Sequence, residues 1–87
     1  MQRSSRITAA LVSLVQTVAL ENRDLGITAN VILPGTIDTR ANRQFDPTAG
    51  NSTWIAPERL AALAVFLLSD AAAQITGAAI PVYGAQL

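Results

Sequence analysis

The chain has 87 residues, 51% apolar and only 14% charged, and it balances six Arg against six acids without any Lys, His or Cys. Zero net charge excludes the basic excess expected of a nucleic-acid binder. The lack of Cys excludes disulfides and thiolate metal sites and suits a cytoplasmic protein. A domain this short buries only about 60% of its unfolded surface, so a composition this apolar reads as a piece that more chain or a partner subunit covers.

Ser4 and Ser5 are predicted to cap a helix over residues 4–24. Ile7, Ala10, Leu11, Leu14 and Val18 fall at the spacing of one helical face, with Ala9, Val12, Val15 and Ala19 beside and behind it. A helix apolar over most of its circumference is buried on more than one side, here by a sheet and by another helix. Thr8, Ser13, Gln16 and Thr17 interrupt the apolar stretch, which excludes the run of about 20 mostly apolar residues that a membrane span needs. Gly26 suits the left-handed position that closes such a helix.

Residues 27–33 read as a strand apolar on both faces, as in a parallel sheet covered by helices, and Pro34-Gly35 ends it. Residues 36–56 form a long polar loop, of a length that is usually functional, with room for one helical turn. Pro57 opens a second helix, reaching about residue 69, with Leu60, Leu63, Ala64, Leu67 and Leu68 on its buried face. A short helical segment at 71–74 precedes a last strand at 79–83, and Pro81 makes that an edge strand. The order helix, strand, helix, strand gives an α/β unit with two parallel strands joined right-handedly. The first strand is left with an unpaired edge.

The run from Ile27 to Thr39 brings Thr36, Asp38 and Thr39 to the carboxyl end of a strand, where open α/β sheets bind ligands. Other candidates are weaker. Ser4 and Ser5 have no His to activate either as a nucleophile. Asp38 and Asp46 suit turns and caps better than a metal or acid–base pair, and no metal site is expected. Trp54 is expected to anchor the long loop, with closure of a substrate pocket as the alternative, and Tyr83 lies at the far edge strand.

Four segments in this order resemble the C-terminal third of a short-chain dehydrogenase/reductase: the helix Ala9-Ala-Leu-Val-Ser-Leu-Val-Gln-Thr-Val-Ala-Leu-Glu21, the strand and turn Ile27–Thr39, the block Trp54-Ile-Ala-Pro-Glu-Arg-Leu60, and Phe66-Leu-Leu-Ser-Asp70 with Ile75-Thr-Gly77. The resemblance makes residues 1–87 a single partial domain, the C-terminal part of a Rossmann-type doubly wound fold, with its sixth strand at 27–33 and its seventh at 79–83. It implies that the turn faces the nicotinamide of NAD or NADP. Pro34, Gly35, Ile37 and Thr39 match the family's cofactor motif: backbone near Ile37 would pair with the carboxamide, and the Thr39 hydroxyl would contact carboxamide or phosphate. Asn30 matches an Asn that holds backbone in place.

The same resemblance exposes the departures. The family's catalytic Tyr and Lys positions fall on Ser4 and Thr8, no Lys exists elsewhere, and no Gly-rich phosphate loop occurs in these residues. The expectation is therefore a truncated segment of a carbonyl or alcohol oxidoreductase that is inactive alone, with no catalytic residue of its own and no cofactor bound without help. Its partners would be a second copy or a complementing Rossmann chain, engaged through helix 4–24 and the free edge of strand 27–33. Nucleic acid and membrane are excluded. The alternative is a non-catalytic module that dimerises through its first helix.

Overall fold

The computed structural model describes residues 2–46 and 53–84, with side chains from Arg6 onward. Helix α1 spans Gln2–Glu21. A single 3-10 turn, Arg23–Leu25, follows, and Gly26 closes it at φ 71°, its N–H donating to the Arg23 carbonyl at 3.1 Å. The helix starts before Ser4 and Ser5, so both lie within it. An N-cap must stand outside the helical run, and the predicted capping role is corrected on that ground.

Strand β1 is Val31–Pro34 and strand β2 is Ala79–Val82. They pair in parallel, with Val31 opposite Ala79 and Pro34 opposite Val82. The architecture is α/β, as expected. The predicted strand 27–33 is shorter at its start and one residue longer at its end, and the late start has its cause in the partner segment. Gly77 takes φ 73°, a left-handed conformation that breaks the regular ladder opposite residue 29. Individual bonds replace the ladder there: Gly77 N–H donates to the Ala29 carbonyl at 2.7 Å, and Ala29 N–H to Thr76 Oγ1 at 3.2 Å. Asn30 completes the splice, donating from Nδ2 to the Ile75 carbonyl at 3.1 Å and accepting from Ala78 N–H at 3.0 Å. One side chain thus does for residues 75–78 what a continued ladder would have done.

Pro81 sits in β2 without cost to this pairing. Val31 N–H donates to the Ala78 carbonyl and Gly35 N–H to that of Val82, so the even-numbered positions of β2 face β1. The missing Pro81 N–H lies on the outer side, which blunts that edge.

Helix α2, Arg40–Phe45, occupies part of the predicted loop, and helix α3 runs Pro57–Leu67 with Pro at its start. A 3-10 turn, Asp70–Ala72, leads back toward β2. Leu67 is buried and Leu60, Leu63 and Ala64 are half-buried, but Leu68 is 87% exposed. It is the residue capping α3 and stands about 100° round from Leu67, which removes it from the predicted buried face.

The core is small: Ala19, Val31, Ile55, Leu67 and Ala72. On α1 only one of the two predicted apolar faces is covered. Ala19 is buried and Val12 and Val15 are half-buried, whereas Ile7, Leu11 and Leu14 face outward. The accessible surface is 6614 Å², against about 4,900 Å² for a compact monomer of this mass. No helix among the described residues is long and apolar enough to cross a membrane.

The Asn30 splice predicts a measurable loss. Asn30→Ala removes two bonds and leaves the Ile75 carbonyl and Ala78 amide without them, at a cost of about 2 kcal/mol. Urea unfolding followed by circular dichroism should show the lower midpoint, with little change in the folded spectrum.

Candidate functional site

The turn after β1 is built almost entirely from backbone. Gly35 N–H donates to the Val82 carbonyl at 3.0 Å, carrying the β1–β2 pairing one residue past Pro34. Ile37 then forms an isolated parallel bridge with Ile55. Ile55 N–H donates to the Thr36 carbonyl, and Asp38 N–H to the Ile55 carbonyl, both at 2.8 Å. This bridge uses the Thr36 carbonyl and the Asp38 amide on either side of Ile37 and leaves the Ile37 amide outside it. Ile55 is 6% exposed. It, more than its neighbour Trp54, fastens the far end of the loop to the core.

Helix α2 is tied back onto the same turn by three side chains. Thr39, extended at φ −114° and ψ 158°, is its N-cap, and Thr39 Oγ1 accepts from Asn42 N–H at 3.1 Å. A Thr here satisfies one of the orphan amides of the first turn. Asn42 Nδ2 donates to the Ile37 carbonyl at 2.7 Å, and Thr39 N–H reaches that same oxygen at 2.9 Å. Arg43 grips Asp38 bidentately, Nε to Oδ1 at 2.5 Å and Nη2 to Oδ2 at 2.7 Å. The Arg43 hydrogen bond holds the Asp38 carboxyl below the usual carboxylate range, and partial loss of solvent offsets this only in part.

Of the residues the sequence singled out, Pro34, Gly35, Ile37 and Thr39 come together in this one turn. Thr39 spends one hydroxyl lone pair on its cap and keeps its proton to donate. Asp38 closes an ion pair with Arg43, and Asp46 ends α2 through its backbone N–H, which donates to the Asn42 carbonyl. Arg43 pairs with Asp38 while its own side chain stays 58% exposed. Trp54 stands between two open hollows. One, about 290 Å³, is shared with Ile55, Arg59 and Val82; the other, about 330 Å³, with Thr36, Asn42, Phe45 and Asp46. Tyr83 lies just beyond β2. Ser4 and Thr8 are one turn apart on α1, and Thr8 is exposed.

Sequence reasoning missed Asn42 and Ile55. The Thr39-to-Asn42 spacing is a legible capping signal. The Ile37–Ile55 bridge joins residues eighteen apart through a polar loop, and no local pattern encodes it.

A short-chain dehydrogenase model described as enoyl-(acyl carrier protein) reductase matches residues 5–84. The chain belongs to the short-chain dehydrogenase/reductase family. The 3-oxoacyl-[acyl-carrier-protein] reductase MabA of Mycobacterium avium is 37% identical over 84 residues, covering 87% of this chain and 33% of its own length. The crystal structure of YwfH, an NADPH-dependent reductase involved in bacilysin biosynthesis, superposes with a TM-score of 0.77 at 28% identity, over 91% of this chain and 37% of that one. A 4-hydroxyisoleucine dehydrogenase complexed with NADH superposes at 0.72 with 30% identity, over 90% and 35%. This short-chain dehydrogenase/reductase segment thus spans about a third of the length of the relatives it matches, and its fold is part of their Rossmann-type sheet.

The Asp38–Arg43 pair carries a pH dependence of known sign. The folded carboxyl titrates lower than the unfolded one, so its contribution is complete above the ordinary carboxylate pKa and is lost as pH falls through the lowered value. Arg43 Nε chemical shifts should therefore move, and the protection factors of α2 amides, taken relative to intrinsic exchange at each pH, should fall, on acidification below the usual carboxylate range. In Asp38→Asn both should be insensitive to pH across that window.

Proposed function

We propose that this polypeptide forms the nicotinamide-facing wall of an NAD(P)-dependent carbonyl or alcohol oxidoreductase, and that the 87-residue chain by itself turns nothing over. The observation that carries the reading is the turn Pro34–Thr39, held in one shape at the carboxyl end of a parallel ladder by the Ile37–Ile55 bridge. That is the position at which open α/β sheets meet their ligands. Family membership and the NADH-bound neighbour support a nicotinamide dinucleotide as the ligand.

The residues suit a carboxamide oxygen. The Ile37 amide lies outside the bridge, and the Thr39 hydroxyl retains a proton to donate to a carboxamide or phosphate oxygen. Pro34 and Gly35 shape the approach. When bound, the dinucleotide supplies or accepts the hydride, while a protein orients it and manages the proton. This chain provides the first of those services. For the second, a seryl hydroxyl at Ser4 is too weak an acid, Thr8 carries no charge to lower a neighbour's pKa, and no Lys exists anywhere in the sequence.

The covering surfaces follow from exposure. Ile7, Leu11 and Leu14, at 64, 42 and 60% exposed, form an outward stripe on α1. A further hollow, of about 410 Å³, opens between residues 28–32 and Ala64, Leu67 and Leu68. A second copy of this chain on the stripe, and a complementing Rossmann strand along the free edge of β1, would cover both. A cytoplasmic setting suits a chain without Cys.

Calorimetric titration of the purified chain with NADH and NADPH should show no affinity better than about millimolar, a few kcal/mol of binding free energy at most, and no carbonyl-dependent oxidation of either cofactor. Micromolar binding or turnover by the isolated chain would overturn the incapacity assigned to it. On a sizing column with light scattering, the wild type should run as a dimer or larger and Leu14→Arg as a monomer. A wild-type monomer would remove the α1 stripe as a contact surface.

A further inference from the structure

The turn offers donors to a carboxamide, but its acceptor is already taken. A carbonyl oxygen has two lone pairs, and at Ile37 both are filled from within the chain, by Thr39 N–H at 2.9 Å and by Asn42 Nδ2 at 2.7 Å. The second donor is itself a primary amide. It is the same chemical group that a nicotinamide carboxamide would bring to this oxygen. We infer that Asn42 is an internal stand-in for the ligand's amide: it occupies the Ile37 carbonyl in the free chain and must leave before a carboxamide NH₂ can use it.

The inference rests on the reading of this turn as a carboxamide site, and it gives Asn42 two effects. The bond keeps the turn in its binding shape before any ligand arrives. It also makes ligand and side chain compete for one lone pair, so a carboxamide gains the difference between two similar hydrogen bonds rather than a whole one. Asn42 is therefore a positioning residue, with no contact to reacting atoms required. Its backbone remains held when the side chain is removed, because Asn42 N–H bonds to Thr39 Oγ1 and Arg43 pairs with Asp38 independently of it.

The test uses the full chain, ¹⁵N-labelled, with free nicotinamide as the probe and 3-acetylpyridine, which keeps the carbonyl acceptor but lacks the amide donor, as the control. The Ile37 and Asp38 amide resonances are followed through titrations into the tens of millimolar. Asn42→Ala should bind nicotinamide about fivefold more tightly than the wild type, the worth of one net hydrogen bond, and 3-acetylpyridine should bind both proteins alike. Should Asn42→Ala lose its dispersed spectrum, Asn42→Ser replaces it, since serine suits the first helical turn and is too short to span to the carbonyl. Equal nicotinamide affinity in variant and wild type, or no saturable shift in a folded variant, would overturn the stand-in. Saturable nicotinamide shifts confined to residues outside the turn, in both proteins, would instead overturn the reading of the turn as a carboxamide site.

Discussion

The parallel pairing of β1 with β2 is the constraint on which the rest depends. Only four residue pairs form the regular ladder, too few to hold the chain reversal around Gly77 unaided. Asn30 and Gly77 extend the grip backward by side-chain and single backbone bonds. Gly35 extends it forward. Between them they place the turn at a defined height above the strand end. A buried-edge amide and carbonyl that went unmet here would each cost as much as a lost hydrogen bond, so the splice and the turn stand or fall together.

From that base the turn is shaped by backbone chemistry with little help from charge. Its ion pair, Asp38 with Arg43, is on the exposed rim, where water and salt weaken it. The ties that matter converge on one residue. Ile37 is bridged to the buried Ile55, and its carbonyl is doubly bonded from α2 and from Thr39. A site made this way has geometry but little reactivity. On the proposed reading that is its role: it orients a cofactor while the proton chemistry lies elsewhere.

The uncovered surface points the same way. Its exposed area exceeds that of a compact monomer by an amount comparable to a standard protein–protein interface. Exposed apolar side chains include a stripe on α1, and a hollow opens beside the free edge of β1. A sheet of two strands leaves one of them with an unpaired edge, and such edges are paired, covered or blunted in working proteins. Pro81 blunts the outer side of β2. The described residues offer nothing equivalent for β1.

Composition and periodicity by themselves determined the helix–strand–helix–strand order, the parallel α/β class, the glycine stop at Gly26 and the proline start at Pro57. All are local signals, set by dihedral preferences and by the spacing of apolar side chains within a few residues. The tertiary structure alone decided where the strand begins, because a left-handed glycine nearly fifty residues away interrupts its partner. It decided that Ile55 rather than Trp54 holds the loop, that Leu68 faces outward, that one face of α1 stays bare, and that Asn42 fills the Ile37 carbonyl. Each of these depends on which distant group a hydrogen bond or an apolar face finds, and a chain encodes that only through the whole of its fold.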